Sequence, residues 1–219
     1  MIAEINKGLI IAGHLDNLPN PETVTSVVLK AEGVTAQDMH KFVASLSRFS
    51  NLISLSVNYG NLQDMIAILT PALQPTLQEL DLSGNYLMDK GATIIADTLS
   101  TLPNLVTLNL SGNDIEHAAP NLAEKLAGCP KLKSLILDDN FYSVESTTIF
   151  KTVATKLPHV TTFLVDHDDD GVLEKEFSSR NVDTSAEDFS NLHLDHQDSD
   201  NSDTQASGVV EQASSDDIT

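Results

Sequence analysis

Residues 77–87 read LQELDLSGNYL, and residues 105–115 repeat the pattern as LVTLNLSGNDI. The apolar residues follow one another at intervals of three, two and five positions, with an asparagine two places before the last. This spacing fits neither one face of an α-helix nor a plainly alternating β-strand. Two stretches with the same unusual spacing indicate an internal repeat, so further copies should be sought along the chain.

Six blocks with this pattern recur along the sequence, with starts separated by 25 to 28 residues. They begin at Val24, Leu52, Leu77, Leu105, Leu132 and Val160. Helical patterns separate the blocks, as in segment 89–104, where Ile94, Ile95 and Leu99 make one apolar face. Each unit is therefore predicted to be a short strand, a turn and a returning helix. Parallel strands need such a crossover, and stacked units bury one continuous core.

Within a block, the leucines and the asparagine have different predicted roles. Leu80 and Leu82 are expected to point inward from the strand of the third block. Asn85 is expected to hydrogen-bond backbone groups of the turn that no sheet ladder satisfies. The same place is held by Asn113 and Asn140 in the next two blocks, and by Glu32, Gly60 and Asp168 in the other three. The second unit is short, and TPALQPT at 70–76 predicts that its helix ends early.

The repeat resembles that of leucine-rich repeat proteins, in particular the ribonuclease-inhibitor-like class with its longer repeats of about 28 residues. The resemblance covers residues 24–165 and implies an α/β solenoid in a horseshoe arc. Its parallel strands would lie on the concave face and its helices on the convex face. The alternative is an ordinary amphipathic α/β domain whose leucines align by chance. We expect an N-terminal capping segment at 1–23, a leucine-rich repeat domain at 24–170 with a partial last repeat, and an acidic disordered tail at 171–219.

Charge is distributed unevenly along the 219 residues, whose formal net charge is −20. Residues 166–219 contain 16 Asp and Glu against 2 Lys and Arg, and so contribute −14. A field of this sign repels nucleic acid and anionic membranes and favours basic partners. Beyond residue 177 the sequence has few apolar residues and no period, so it cannot offset its ordering entropy and is predicted to be disordered.

The sequence also bears on location. No stretch approaches the ~18 uncharged apolar residues of a membrane span, and the N-terminus lacks the basic cluster and cleavage site of a signal peptide. A single cysteine, Cys129, excludes an internal disulfide framework and favours a reducing compartment. We therefore expect a cytoplasmic protein that does not insert into membranes. The short, divergent repeats also resemble leucine-rich effectors of bacterial pathogens, for which the location would be the host-cell cytoplasm.

A partner-binding site is predicted on the concave face and the loop edge beside it, because the strand positions between the leucines point outward there. The candidate residues are Asn58, Tyr59, Glu79, Asp81, Asn109, Ser134, Ile136, Asp138, Asp139 and Tyr142. The acidic members would form a stripe that attracts Lys or Arg of a partner. Tyr59, Tyr86 and Tyr142 would supply aromatic anchors near the strand ends. The alternative for each residue is a solvated side chain without a specific role.

No arrangement for catalysis emerges, so we predict a protein that is not an enzyme and that has no cofactor. Cys129 precedes Pro130 and is expected to be a packed small residue, not a nucleophile. One weak metal candidate is DHDDDGVLEKEF at 166–177, which places Asp166, Asp168 and Asp170 like the first ligands of an EF-hand loop. The twelfth position, where the loop needs Glu, is Phe177, and a charged, solvated segment is the favoured interpretation.

Three functions remain open from the sequence. The first is an adaptor, inhibitor or effector that is monomeric until its concave face binds another protein with a basic surface. The second is a chaperone for basic proteins such as histones, acting through the acidic tail. The third is a regulator of a small GTPase, because one GTPase-activating branch of the family combines this repeat class with an acidic tail. That branch has more repeats than this chain.

Overall fold

A computed structural model describes residues 1–11, 13–157, 159–165 and 175–176. These residues build one sheet of eight strands whose order follows the chain, and they lie within one compact unit, Met1–Val182. The strands are β1 (Ile2–Asn6), β2 (Ser26–Lys30), β3 (Ser54–Asn58), β4 (Glu79–Asp81), β5 (Thr107–Asn109), β6 (Ser134–Ile136), β7 (Thr162–Leu164) and β8 (Lys175–Glu176). Strands β1 to β7 are parallel, and β8 pairs antiparallel with β7.

Helices connect successive parallel strands and pack beside one another in chain order. They are α1 (Lys7–Ile11), α2 (Ala36–Leu46), α3 (Ile66–Leu69), α4 (Met88–Thr98), α5 (Ala119–Leu126) and α6 (Val144–Lys156). The irregular second unit is confirmed, because α3 has only four residues and lies between two 3-10 turns. Pro71 lies in the second of these turns, where its missing N–H and fixed ring oppose further α-helix.

The core lies between the sheet and the helices. The central residues of β3 to β7 face one another in register and are all buried: Leu55, Leu80, Leu108, Leu135 and Phe163. Leu82 is also buried, which confirms the predicted inward positions. Ala92, Ile95 and Ala96 of α4 are buried in the same cluster. Each fully buried leucine contributes about 1.5–3 kcal/mol relative to exposure, so the repeated leucines account for the stacking of units.

Three buried asparagines connect the turns that follow β4, β5 and β6. They are Asn85, Asn113 and Asn140. The Nδ2 of Asn113 donates to the carbonyl oxygens of Leu110 and Ser111 in its own turn, each at 3.0 Å. It also donates to the carbonyl oxygen of Leu82 in the preceding repeat at 2.9 Å, and its Oδ1 accepts from the N–H of Asn85 at 3.0 Å. The predicted turn bonds are confirmed, and the bonds to the preceding repeat extend them into a ladder along the sheet.

Gly60 takes the asparagine place in the second repeat and makes room for this ladder. Its N–H donates to Oδ1 of Asn85 at 3.1 Å. A Cβ atom at residue 60 would lie 2.6 Å from Cβ of Ala31 and 3.0 Å from Oδ1 of Asn85. A larger residue would therefore clash with the repeat before it and with the asparagine after it.

The N-terminal segment extends the sheet. Strand β1 pairs along its whole length with β2, with Ile2 opposite Ser26, and its Ala3 and Ile5 side chains are buried. At the other end β8 adds two residues to the edge of β7. The rest of segment 171–219, where a disordered tail is predicted, lies outside the described residues, and the division into three regions stays a prediction.

Candidate functional site

The side chains of the sheet that point away from the helices form a surface that we call the strand face. Across β3 to β7, its first row is Ser54, Glu79, Thr107, Ser134 and Thr162. Its second row is Ser56, Asp81, Asn109, Ile136 and Leu164. All ten are partly or fully exposed, and neighbours in a row belong to strands about 4.8 Å apart. The structure thus brings most of the predicted site residues onto one surface, with Asn58 at the end of β3.

Asp81 also stabilises the turn after its own strand. Its Oδ1 accepts from the N–H of Ser83 at 3.0 Å, and its Oδ2 accepts from Oγ of Ser56 at 3.1 Å. The Nδ2 of Asn58 donates to the same Oδ2 at 3.4 Å. Asn109 forms the equivalent turn bond one repeat on, where its Oδ1 accepts the N–H two residues later at 3.0 Å. A substitution of Asp81 would therefore disturb the fold as well as the surface charge.

The acidic candidates do not form a continuous stripe. Glu79 lies on β4 in register with Ser134 of β6, whereas Asp138 comes four residues after Ser134. The two carboxylates are therefore separated by two strand spacings, about 10 Å across the sheet, and also by four residues along the strand direction. The side chains of β5 on this face, Thr107 and Asn109, are neutral. Asp139 is exposed at the loop edge, with a φ of 54°. The negative charge is therefore divided between one patch on the strand face and another at the loop edge.

Tyr142 was predicted to bind a partner, and this prediction is wrong because the side chain is 2% exposed. Its ring packs edge-on against Phe150, with ring centroids 5.0 Å apart and planes at 75°. Tyr142 takes the last apolar place of its block, which Leu87 and Ile115 take in earlier repeats. The block pattern itself could have indicated this burial. The exposed aromatic residue of the turn is its neighbour Phe141, at 66%.

Tyr59 and Tyr86 are exposed, as predicted for anchors, at 72% and 52%. Both adopt the left-handed backbone conformation, with φ of 53° and 52°. Gly84 and Gly112 stand at the place of Tyr59 in the next two repeats, also with positive φ. The turn therefore needs this backbone conformation, but it does not need a tyrosine.

Cys129 is confirmed as a packed residue, because it is 1% exposed. Burial raises the pKa of its thiol to about 11, so the thiol is protonated at neutral pH and is a poor nucleophile. In the part of the chain that the structure describes, no group of three or more His, Cys, Asp or Glu could hold a metal ion. The candidate ligands Asp166, Asp168 and Asp170 lie outside that part.

The sequence of the middle repeats matches a known family model. The model, described as Leucine Rich repeat, matches residues 74–96 and 101–117, which include β4, most of α4 and β5. The match covers 40 of the 219 residues, in the two repeats with the clearest pattern. Together with the parallel sheet and the connecting helices, this match confirms the predicted α/β leucine-rich repeat solenoid. The ribonuclease-inhibitor-like class and the relation to pathogen effectors stay predictions.

No curated protein matches the sequence. Among solved structures, an internalin (inlF) from Listeria monocytogenes is similar, with 14% sequence identity over 71% of this chain and 62% of that chain. This repeat protein thus spans less than two thirds of that internalin. The TM-score is 0.23, and a similarity this low does not bear on function. Among the described residues, no helix is long and apolar enough to cross a membrane.

Proposed function

We propose that this chain is a protein-binding module, not an enzyme, and that it binds one partner protein through the strand face. The supporting observation is the strand face itself, two rows of mostly short polar side chains on a sheet whose turns are cross-linked by the asparagine ladder. Leucine-rich repeat domains generally mediate protein–protein interactions. A surface that is already ordered loses little entropy when a partner docks, which favours binding.

The strand face also suggests the chemistry of the partner. Across β3 to β7 its two rows include Glu79 and Asp81 and no Lys or Arg. Ile136 and Leu164 are partly exposed and add apolar surface toward β7. A complementary partner would place a Lys or Arg near Glu79 and an apolar side chain near Ile136. Adaptor, inhibitor and effector are all consistent with this surface, and the identity of the partner would decide among them.

The other two hypotheses, a chaperone that acts through the acidic tail and a regulator of a small GTPase, have no supporting contact among the described residues. Of the proposed tail, only Lys175 and Glu176 are described, and they pair with β7. The proposed site therefore keeps the predicted residues of the strand face and of the loop edge beside it, and it leaves out the buried Tyr142. They are Asn58, Tyr59, Glu79, Asp81, Asn109, Ser134, Ile136, Asp138 and Asp139.

The experiment that tests this proposal compares charge reversal on the two sides of the repeat domain. Glu79→Lys changes an exposed carboxylate of the strand face, and Glu124→Lys changes an exposed carboxylate of α5 on the helix side. Partners captured from a cell extract would be purified and titrated by calorimetry. We expect a one-to-one partner whose affinity falls at least tenfold with Glu79→Lys, or about 1.4 kcal/mol, and less than twofold with Glu124→Lys.

Circular dichroism and thermal melting should be the same for both variants, because neither side chain is buried. A partner that binds both variants equally would contradict the strand face as the site. If no protein binds with defined stoichiometry, the proposed function itself fails.

A further inference from the structure

The loops that follow β2 to β6 lie at one edge of the sheet, which we call the carboxyl edge. They are residues 31–35, 59–65, 82–87, 110–118 and 137–143. Large exposed apolar side chains are concentrated at this edge and at the helix starts beside it, namely Tyr59, Tyr86, Met88, Phe141 and Val144. The opposite edge, whose loops lead into β3 to β7, has one such side chain among its described residues, Ile53, at 38%. An uneven distribution of this kind marks an interaction surface.

Charged residues are also distributed unevenly between the loops of the two edges. The loops of the carboxyl edge contain six Asp and Glu and no Lys or Arg. The loops that lead into β3 to β7 are residues 47–53, 73–78, 102–106, 127–133 and 157–161. They contain Arg48, Lys131 and Lys133 and no Asp or Glu. The loops of one edge therefore hold aromatic rings and carboxylates, and the loops of the other hold bases. Two lysines of helices also reach the carboxyl edge, where Lys90 pairs with Asp64 and Lys7 donates to the carbonyl oxygen of Gly33.

The tyrosines at the carboxyl edge are exposed, and the ring of Tyr59 also contacts the next repeat. Bulky residues with positive φ are uncommon, yet Tyr59, Tyr86 and Met88 all have φ near 53°. The ring of Tyr59 lies against Gly84 of the next repeat, where a Cβ atom would be 3.3 Å from Tyr59 Cδ1. This contact limits the motion of a ring that is otherwise exposed, so a partner would bind it at a low entropic cost.

We propose that the carboxyl edge is the anchoring surface for the partner, and that it recognises a protein segment that combines arginine with large apolar residues. A guanidinium group stacks on the face of a tyrosine and pairs with a carboxylate at the same time, which a lysine does less well. The apolar residues of the segment would cover Met88, Phe141 and Val144. This inference rests on the proposed function and adds to it the edge that anchors the partner and the side chains that it selects.

The test uses a displayed library of random twelve-residue peptides. Peptides that bind the full-length protein would be selected from it. We expect selected peptides to be enriched in Arg together with Leu, Ile, Phe or Trp. One selected peptide would be synthesised, with a second version in which Lys replaces Arg, and both would be titrated by calorimetry or fluorescence anisotropy. The Lys version should bind several-fold more weakly.

Tyr59→Gly and Tyr86→Gly are suitable variants, because glycine stands at the equivalent places of other repeats, as at Gly84 and Gly33, with the same backbone conformation. Each variant should weaken peptide binding about tenfold and leave the melting temperature no lower. The matched control is Ile53→Ala on the opposite edge, which should change the affinity less than twofold.

Three results would overturn the inference. They are a library that returns no binding peptides, selected peptides that lack arginine, and selected peptides that bind Tyr59→Gly as tightly as the wild type. If peptide binding is instead lost with Glu79→Lys and kept with both glycine variants, the strand face is the site. The proposed function then stands without the carboxyl edge.

Discussion

The side-chain amide of Asn113 is wholly buried and takes part in five hydrogen bonds. Two of these bonds remain within its own turn, and three reach the preceding repeat. Each buried polar group that loses its partner costs about 1–3 kcal/mol. A single side chain therefore contributes both to the turn and to the stacking of two units, and Asn140 makes the equivalent five bonds one repeat on.

We predict that Asn113→Ala lowers the free energy of unfolding by roughly 3 kcal/mol or more. Asn113→Asp should be at least as harmful, because it keeps the acceptor oxygen but directs a second carboxylate oxygen at three carbonyl groups. Urea denaturation followed by circular dichroism measures both. Asn121→Ala, at a half-buried position on α5, is the control and should change the free energy by less than about 0.5 kcal/mol. A loss below 1 kcal/mol for Asn113→Ala would contradict the cooperative role of the ladder.

Residues whose position in the repeat decides their environment could be predicted from the sequence. The burial of Leu80 and the turn bonds of Asn85 follow from the period alone, and the burial of Tyr142 could have been predicted by the same rule. The bonds from Ser56 and Asn58 to Asp81 could not, because they cross from one repeat to the next and depend on the register of the strands. A pattern within one block contains no information on that register.

At the scale of elements, α5 begins without a side-chain cap of its own, since its N-cap is Ala118. The carboxylate of Asp89, in the first turn of α4, instead holds the backbone of residues 116–118, which lead into α5. Its Oδ1 accepts the backbone N–H groups of Glu116 (3.0 Å), His117 (2.7 Å) and Ala118 (2.9 Å). Partial burial acts to raise the pKa of Asp89, but these N–H groups outweigh it and hold the pKa below its usual value of 3.8. One helix thus depends on an acidic residue of the helix before it.

This arrangement predicts a pH-dependent contribution to stability. Because the folded state depresses the pKa of Asp89, its contribution is fully present above about pH 3.8 and is lost as the pH falls through the folded-state pKa. At pH 7, Asp89→Ala should lower the free energy of unfolding by about 1 kcal/mol, because three backbone N–H groups before α5 lose their charged acceptor. Asp89→Asn keeps the acceptor oxygen and should lose less.

Urea denaturation at pH 7 and pH 3 measures this effect, and the difference between wild type and Asp89→Ala should narrow at the lower pH. Asp97→Ala, at an exposed position on the same helix, is the control and should leave the pH dependence unchanged. An equal difference at both pH values would show that the charge of Asp89 does not stabilise α5. The sequence does not reveal this contact, because Asp89 lies 27 to 29 residues before the N–H groups that it accepts.

At the scale of the molecule, each unit of a solenoid contacts only its neighbours, so the stability of its ends depends on what covers them. The described C-terminal edge is covered by β8, where Lys175 lies opposite Phe163 and Glu176 opposite Thr162. The acidic loops of the carboxyl edge and the basic loops of the opposite edge are also a property of the whole molecule. They arise only when loops that are distant in sequence align along the sheet, which the order of residues alone does not display.

Truncation separates the contribution of β8 from that of the acidic segment after it. A chain that ends at residue 182 keeps β8 and removes a segment predicted to be disordered, so its urea midpoint should equal that of the full chain. A chain that ends at residue 170 also loses β8, exposes the edge of β7, and should unfold at a lower urea concentration. Equal midpoints for the two shorter chains would mean that β8 contributes nothing. If the chain ending at 182 is less stable than the full chain, the acidic segment packs on the repeats, and the prediction of disorder is wrong.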